Sequence, residues 1–314
     1  GLGAYLLAVS LKGDKARVNQ ASVVDVDVAS GALRGTTWLN VFSPVTATYQ
    51  VGLDVEPPED SAEAETLLSW LPAPESNALR ATYQQSSGVL SARPYVMDLD
   101  KPELTETPNQ VWSAKGFSAN WRRTGSRLLE LENMEVDDED VERLTVVSRL
   151  PFALSECILV SHGWAYSLGE LPADARTAFT PDSGRRQRFS DLLSGLAQHY
   201  DKEREDYVLR SPVYKQHGTD VYEILEKIMF HDLAGGREYT KLWNRREGRL
   251  DLSFHVGQDQ AILIGRADRP PLDASLDGQS IKDSDRIEKR YWTYYRFLLP
   301  VLEKANPDDA SRDD

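Results

Sequence analysis

Alternation dominates the first half of the chain. Val24, Val26 and Val28 alternate with Asp25 and Asp27, and Tyr49, Val51, Leu53 and Val55 alternate with Gln50, Gly52 and Asp54. Such period-two patterning puts one apolar row on a core and one polar row in water, as in an antiparallel sheet. Thr36 to Phe42 is β-branched and aromatic, and Ser30-Gly31 and Ser43-Pro44 supply turns. Residues 16–55 therefore read as a three-strand meander. Residues 56–76 interrupt the pattern with Pro57-Pro58 and Leu71-Pro72-Ala73-Pro74, and a short helix is expected over Ala62 to Trp70. Strand-like segments resume at 78–84, 89–97, 110–113, 116–122, 127–131, 142–148, 157–162 and 176–179.

The period then changes. Phe189, Leu192, Leu193, Leu196 and Tyr200 fall at helical spacing. A second helix starts near Asp220, with Glu223 three residues on as a capping-box variant and a stripe of Val221, Ile224, Leu225, Ile228 and Met229. Gly235-Gly236 suits its stop, and 239–246 suits a further short helix. Leu250, Leu252, Phe254 and Val256 then alternate again, and Ala261 to Ile264 answers across a turn at 257–259, which predicts a hairpin. Arg290 to Leu299 reads as the last strand. The expected fold is mainly β, one antiparallel β-sandwich or two, with an inserted α-helical block. The boundaries expected are an apolar lead-in at 1–13, a β-sandwich region at 14–182, a helical insertion at 183–249, returning strands at 250–302 and a polar tail at 303–314. The lead-in, Gly1 to Val9 above all, reads either as the remnant of a membrane helix or as a docked first strand.

Composition narrows the function classes. The 314 residues carry 36 Lys plus Arg against 50 Asp plus Glu, a net charge of −14, which repels nucleic-acid phosphates. A single cysteine excludes an internal disulfide framework and a cysteine-rich zinc site. No apolar run approaches the roughly 20 residues of a membrane span.

Recognisable catalytic chemistry is missing from the sequence. There is no G-x-x-x-x-G-K-[ST] loop, no G-x-S-x-G elbow and no H-E-x-x-H. Cys157 and His162 lie an odd number of residues apart on a predicted strand, hence on opposite faces. The five histidines, His162, His199, His217, His231 and His255, show no i, i+4 pair. His231-Asp232 ends a helix, where the dipole favours a cation. The acids from Glu130 to Glu142 lack the glycine of a calcium loop and read as a solvated turn. No metal and no cofactor is expected. Aromatics are the most suggestive feature: Trp121 with Arg122, and Trp292 with Tyr294, are candidate binding residues for a flat platform, against the alternative of large core side chains with a polar handle.

Ser148 to Val160 (SRLPFALSECILV) followed by Gly163 to Pro172 (GWAYSLGELP) resembles a pattern in extracytoplasmic β-rich portions of bacterial membrane proteins of unknown function. The resemblance covers about 25 residues and implies a non-catalytic β-sandwich outside the cytoplasm, tethered to a membrane through flanking segments. The expected function is accordingly a non-enzymatic binding or structural domain. Its partner would be another membrane or envelope protein, or a glycan. The alternatives are a glycan or peptide hydrolase with a carboxylate or metal site between sheet and helices, and a carbohydrate-binding module using exposed Trp and Tyr.

Overall fold

The computed structural model describes residues 15–54, 64–71, 96–98, 101–124, 127–137, 140–201, 206–244, 247–256, 258 and 260–300. The expected apolar lead-in, the strand at 78–84, most of the strand at 89–97 and the polar tail lie outside them.

The fold is mainly β, built from several antiparallel sheets with few helices, as the alternation predicts. Strands β1 (Ala16–Asp27) and β2 (Ala32–Ser43) form the expected hairpin, turned where Asp27 accepts hydrogen bonds from Ser30 Oγ at 2.6 Å and Ala29 N at 3.0 Å. Gly31 follows at φ 70°. β3 (Ala47–Asp54) corrects the meander, because it leaves its two predecessors for a different sheet. The helix expected over Ala62 to Trp70 is a strand instead, β4 (Ala64–Leu71). Its apolar spacing suits either geometry. What decides is a neighbour: β4 lies in register along the strand that contains Phe117 and Trp121, whose ladder satisfies its backbone groups. β5 (Val96–Asp98), β6 (Glu103–Asn109) and β7 (Ser113–Arg123) follow.

The acidic stretch is not a turn. Most of its acids lie on a hairpin, β8 (Leu129–Asp137) and β9 (Asp140–Ser148). Four of them meet arginines: Glu130 with Arg149, Glu132 with Arg176, Glu135 with Arg143 and Asp140 with Arg186. β10 (Leu154–Ser161), β11 (Trp164–Leu171), β12 (Arg176–Phe179) and the two-residue β13 (Gln187–Arg188) come next.

The helical stretch is shorter and more broken than its periodicity predicts. α1 (Phe189–Ser194) ends at Gly195, at φ 65°, and the chain pairs β14 (Ala197–Asp201) with β15 (Asp206–Arg210). α2 (Val221–Met229) starts as expected: the Asp220 carboxylate accepts from Tyr222 N and Glu223 N. It ends at Phe230, before the glycines; Gly235 caps α3 (Gly236–Thr240). The hairpin expected at 250–264 is half right. Its first arm is a 3-10 turn at Gly248–Leu250 and a helical turn, α4 (Ser253–Val256), because Asp251 accepts from both Ser253 N and Ser253 Oγ and so closes a turn rather than extending. The second arm is β16 (Ile262–Ala267), followed by β17 (Asp273–Leu276), β18 (Gln279–Ser280) and β19 (Ile287–Leu298).

Two compact units divide the chain, and neither is continuous in sequence. The first takes 1–25, 32–126 and 267–295; the second takes 26–31, 127–266 and 296–314. In the first unit β19, β1, β2, β7 and β4 lie side by side in that order, and β18, β17, β3, β6 and β5 make a further sheet. Its core includes Val24, Leu39, Val51, Leu104 and Phe117. In the second unit β13, β11, β10 and β16 are neighbours, β12, β9 and β8 form a three-stranded sheet, and β14 and β15 stand as a pair. There Arg296 is fully buried, donating to Met229 O and Leu250 O at 3.3 and 2.6 Å, and so ties the end of α2 to the turn before α4.

Candidate functional site

The four residues singled out as a platform do not make one. Trp121 and Tyr294 are 5% and 2% exposed, inside the core of the first unit. Trp121 stands opposite Gly35 in the β2–β7 register and lies across it, where a β-carbon on Gly35 would fall 2.1 Å from the indole ring. Its Nε1 donates to Thr37 Oγ1 at 3.3 Å, the polar handle that a buried tryptophan needs. Trp292 is half-buried. Arg122 is exposed and forms an ion pair with Glu65, its cross-strand neighbour on β4, at 2.9 Å.

Nucleophilic chemistry has no centre at Cys157. The thiol is wholly buried, contacts Leu154 O at 3.5 Å, and is pushed up to about 11 by burial. His162, at a turn, meets Ser161 Oγ rather than the thiol. The buried Lys227 ammonium is held by Leu193 O, and desolvation lowers its pKa.

Arg122 does, however, adjoin the most distinctive surface of the first unit. Sheet edges carry unpaired backbone donors and acceptors, and proteins normally blunt them. Most edges among the described residues are blunted. β18 and β5 span two and three residues. β8 carries two register shifts and a row of acids. β11 is covered at its start by β13 and kinked near Gly169, φ 82°. β4 is different. It pairs with β7 over eight residues without a register shift, from Ala64↔Arg123 to Leu71↔Gly116. It ends its sheet, so no described strand pairs with its other side.

Most side chains of β4 are apolar where an edge strand is usually charged, and Glu65 is the one charge it carries. Leu67 is 59% exposed and Trp70 38%. Leu67 shares one face with Glu65 and Ser69; Trp70 shares the other with Thr66 and the buried Leu68. The Lys115 ammonium lies over the Trp70 ring, 5.8 Å from its centroid, and burial lowers its pKa. Chemically, this edge offers a backbone ladder, one apolar face and a flanking cation. In the sequence the edge is hidden because the spacing at 64–71 suits a helix as well; its one strand signal is Thr66, Leu68 and Trp70 at alternate positions.

No protein-family model and no curated sequence matches the chain. Among solved structures it is similar to the yeast delta-COP-I mu-homology domain, alone and complexed with a Dsl1 WxWxV peptide, at 7% identity over 91% of this chain and 98% of that one, TM-score 0.37. A further similarity, to an M1 zinc metallopeptidase from Deinococcus radiodurans bound to a Tyr-Ser-Ala substrate, has 10% identity over 69% of this chain and 52% of that one, TM-score 0.18. At these TM-scores neither similarity bears on what this chain binds.

Proposed function

We propose that the chain is a non-catalytic binding domain that takes an extended segment of another protein as an added strand along β4. One observation carries this reading: an eight-residue edge in unbroken register that presents Leu67 and Trp70 with a single charge, Glu65, where such a strand is normally guarded by several. In strand addition the main-chain ladder supplies affinity and alternate side chains supply selectivity. The preferred segment has apolar residues at alternate positions to cover Trp70 on one face, with a further apolar residue on the other face for Leu67.

The test begins with a random peptide library selected on the protein. Selected peptides should show apolar alternation, and their binding should slow amide exchange within Ala64–Leu71. The double variant Leu67→Lys/Trp70→Lys should lose about tenfold or more in affinity, since each charge costs roughly 1 kcal/mol or more when buried against an apolar strand. Protection on another strand, or equal binding by the double variant, overturns the reading. An extracytoplasmic, membrane-tethered setting belongs to the same proposal and rests on the resemblance around Cys157. Fractionation of the full gene product checks it, and recovery from the cytoplasm would refute it. No described helix is long and apolar enough to cross a membrane.

A further inference from the structure

In the second unit, the geometry points to a divalent transition-metal site formed by His231, Asp232 and Asp251. One ligand atom from each lies within 4.8 Å of the other two. Thr240 Oγ1 donates its one hydrogen to Gly236 O at 2.9 Å and accepts from Leu242 N at 3.1 Å. Its contact with His231 Nε2 at 3.4 Å therefore requires the hydrogen to sit on Nε2. The other ring nitrogen, Nδ1, is the one turned toward the carboxylates and lies 3.2 Å from Asp232 Oδ1. His231 is 9% exposed, while the Asp232 carboxylate it faces is 82% exposed, so the pair stands at the surface with the ring turned inward.

Nδ1 and Oδ1 converge on one point from two sides, and Asp251 supplies a third group within reach of it. Asp251 accepts from Asp232 N through Oδ2, and from Ser253 N and Ser253 Oγ through Oδ1. That uses three of about four lone-pair positions and leaves one free on an immobilised carboxylate. Zinc-like ions sit about 2.0–2.2 Å from nitrogen and oxygen ligands, so two donors to one ion lie about 3 Å apart, close to the spacing of His231 and Asp232. A ligating histidine typically has its other ring nitrogen anchored by a hydrogen bond, which Thr240 provides here. Imidazole with two carboxylates suits zinc, cobalt or nickel, with water completing the shell. The cluster follows the C-terminus of α2, whose dipole adds attraction for a cation. This inference is independent of strand addition at β4.

Zinc chloride titrated into the chelator-treated protein tests it by calorimetry and by long-range proton–nitrogen spectra of the histidine rings. Saturable binding of one ion is expected, together with a shift of His231 Nδ1 and not Nε2. Asp232→Asn should weaken binding about tenfold or more. This substitution keeps the fold, because the carboxylate is 82% exposed and, among the described residues, bonds only to His231. Equal zinc binding by the variant, a response at a different histidine, or a doubly protonated His231 that zinc does not move would each overturn the assignment.

Discussion

Single positions in this chain are constrained by what their neighbours leave open. Gly35 is small because Trp121 occupies the place of its side chain. Gly35→Ala should therefore destabilise the protein by about 3 kcal/mol or more, the upper range for overpacking, because the obstacle is a ring rather than a flexible chain end. The midpoint of urea unfolding measures this; an unchanged midpoint would contradict the packing described. Cys157 is constrained from both sides, since a β-carbon on Gly265 would lie 3.1 Å from its sulfur. With the thiol held near 11, the folded protein should resist thiol reagents at pH 8 and react only as it unfolds. Rapid stoichiometric labelling of the folded state would disprove that burial. The inertness of Cys157 was legible from its apolar surroundings. The burial of Trp121 was not, since an indole beside two arginines suits a surface equally well; its glycine partner lies 86 positions away along the chain.

Elements were legible where local chemistry decides and illegible where a partner decides. The start of α2 follows from Asp220 and Glu223 alone, and Asp220→Ala should cost about 1 kcal/mol, visible as a lower thermal midpoint. The arm at 250–256 shows the opposite case. Its alternation is genuine, yet one carboxylate, Asp251, outweighs it by bonding to Ser253 two residues on. The segment at 64–71 has a spacing that suits either helix or strand, and only the ladder with β7 resolves it. The metal-ligating group was invisible for a related reason: Asp251 stands 19 residues beyond Asp232, and only the turn of the chain after α2 brings them together.

At the scale of the whole molecule, the sequence shows antiparallel sheets but not their membership. Each unit is assembled from three separate stretches, and no local pattern announces that β3 will pair with β17 rather than with β2. Burial of tyrosines sets a property of the entire chain. Tyr295, Tyr291, Tyr166, Tyr214 and Tyr239 all have raised pKa values, each mainly by desolvation. Folded-state values above the unfolded value of 10.0 contribute stability that is complete below about pH 10 and lost as the unfolded chain ionises first. Lys115 and Lys227 act in the opposite direction, but they are two against five. Alkaline unfolding should therefore set in above about pH 10, with tyrosinate absorbance rising together with loss of tertiary structure. Tyrosinate formation well ahead of unfolding would show those rings to be accessible.

The margin of β4, which no described strand covers, also bears on how the protein behaves alone. A second copy carries the same margin, so two molecules are able to dock β4 against β4 about a two-fold axis and bury Leu67 and Trp70 mutually. Mutual repulsion from a net charge of −14 opposes this at low ionic strength. Added salt weakens that repulsion without weakening the apolar contact, so concentrated, salty solutions should favour dimers that compete with any peptide for the same strand.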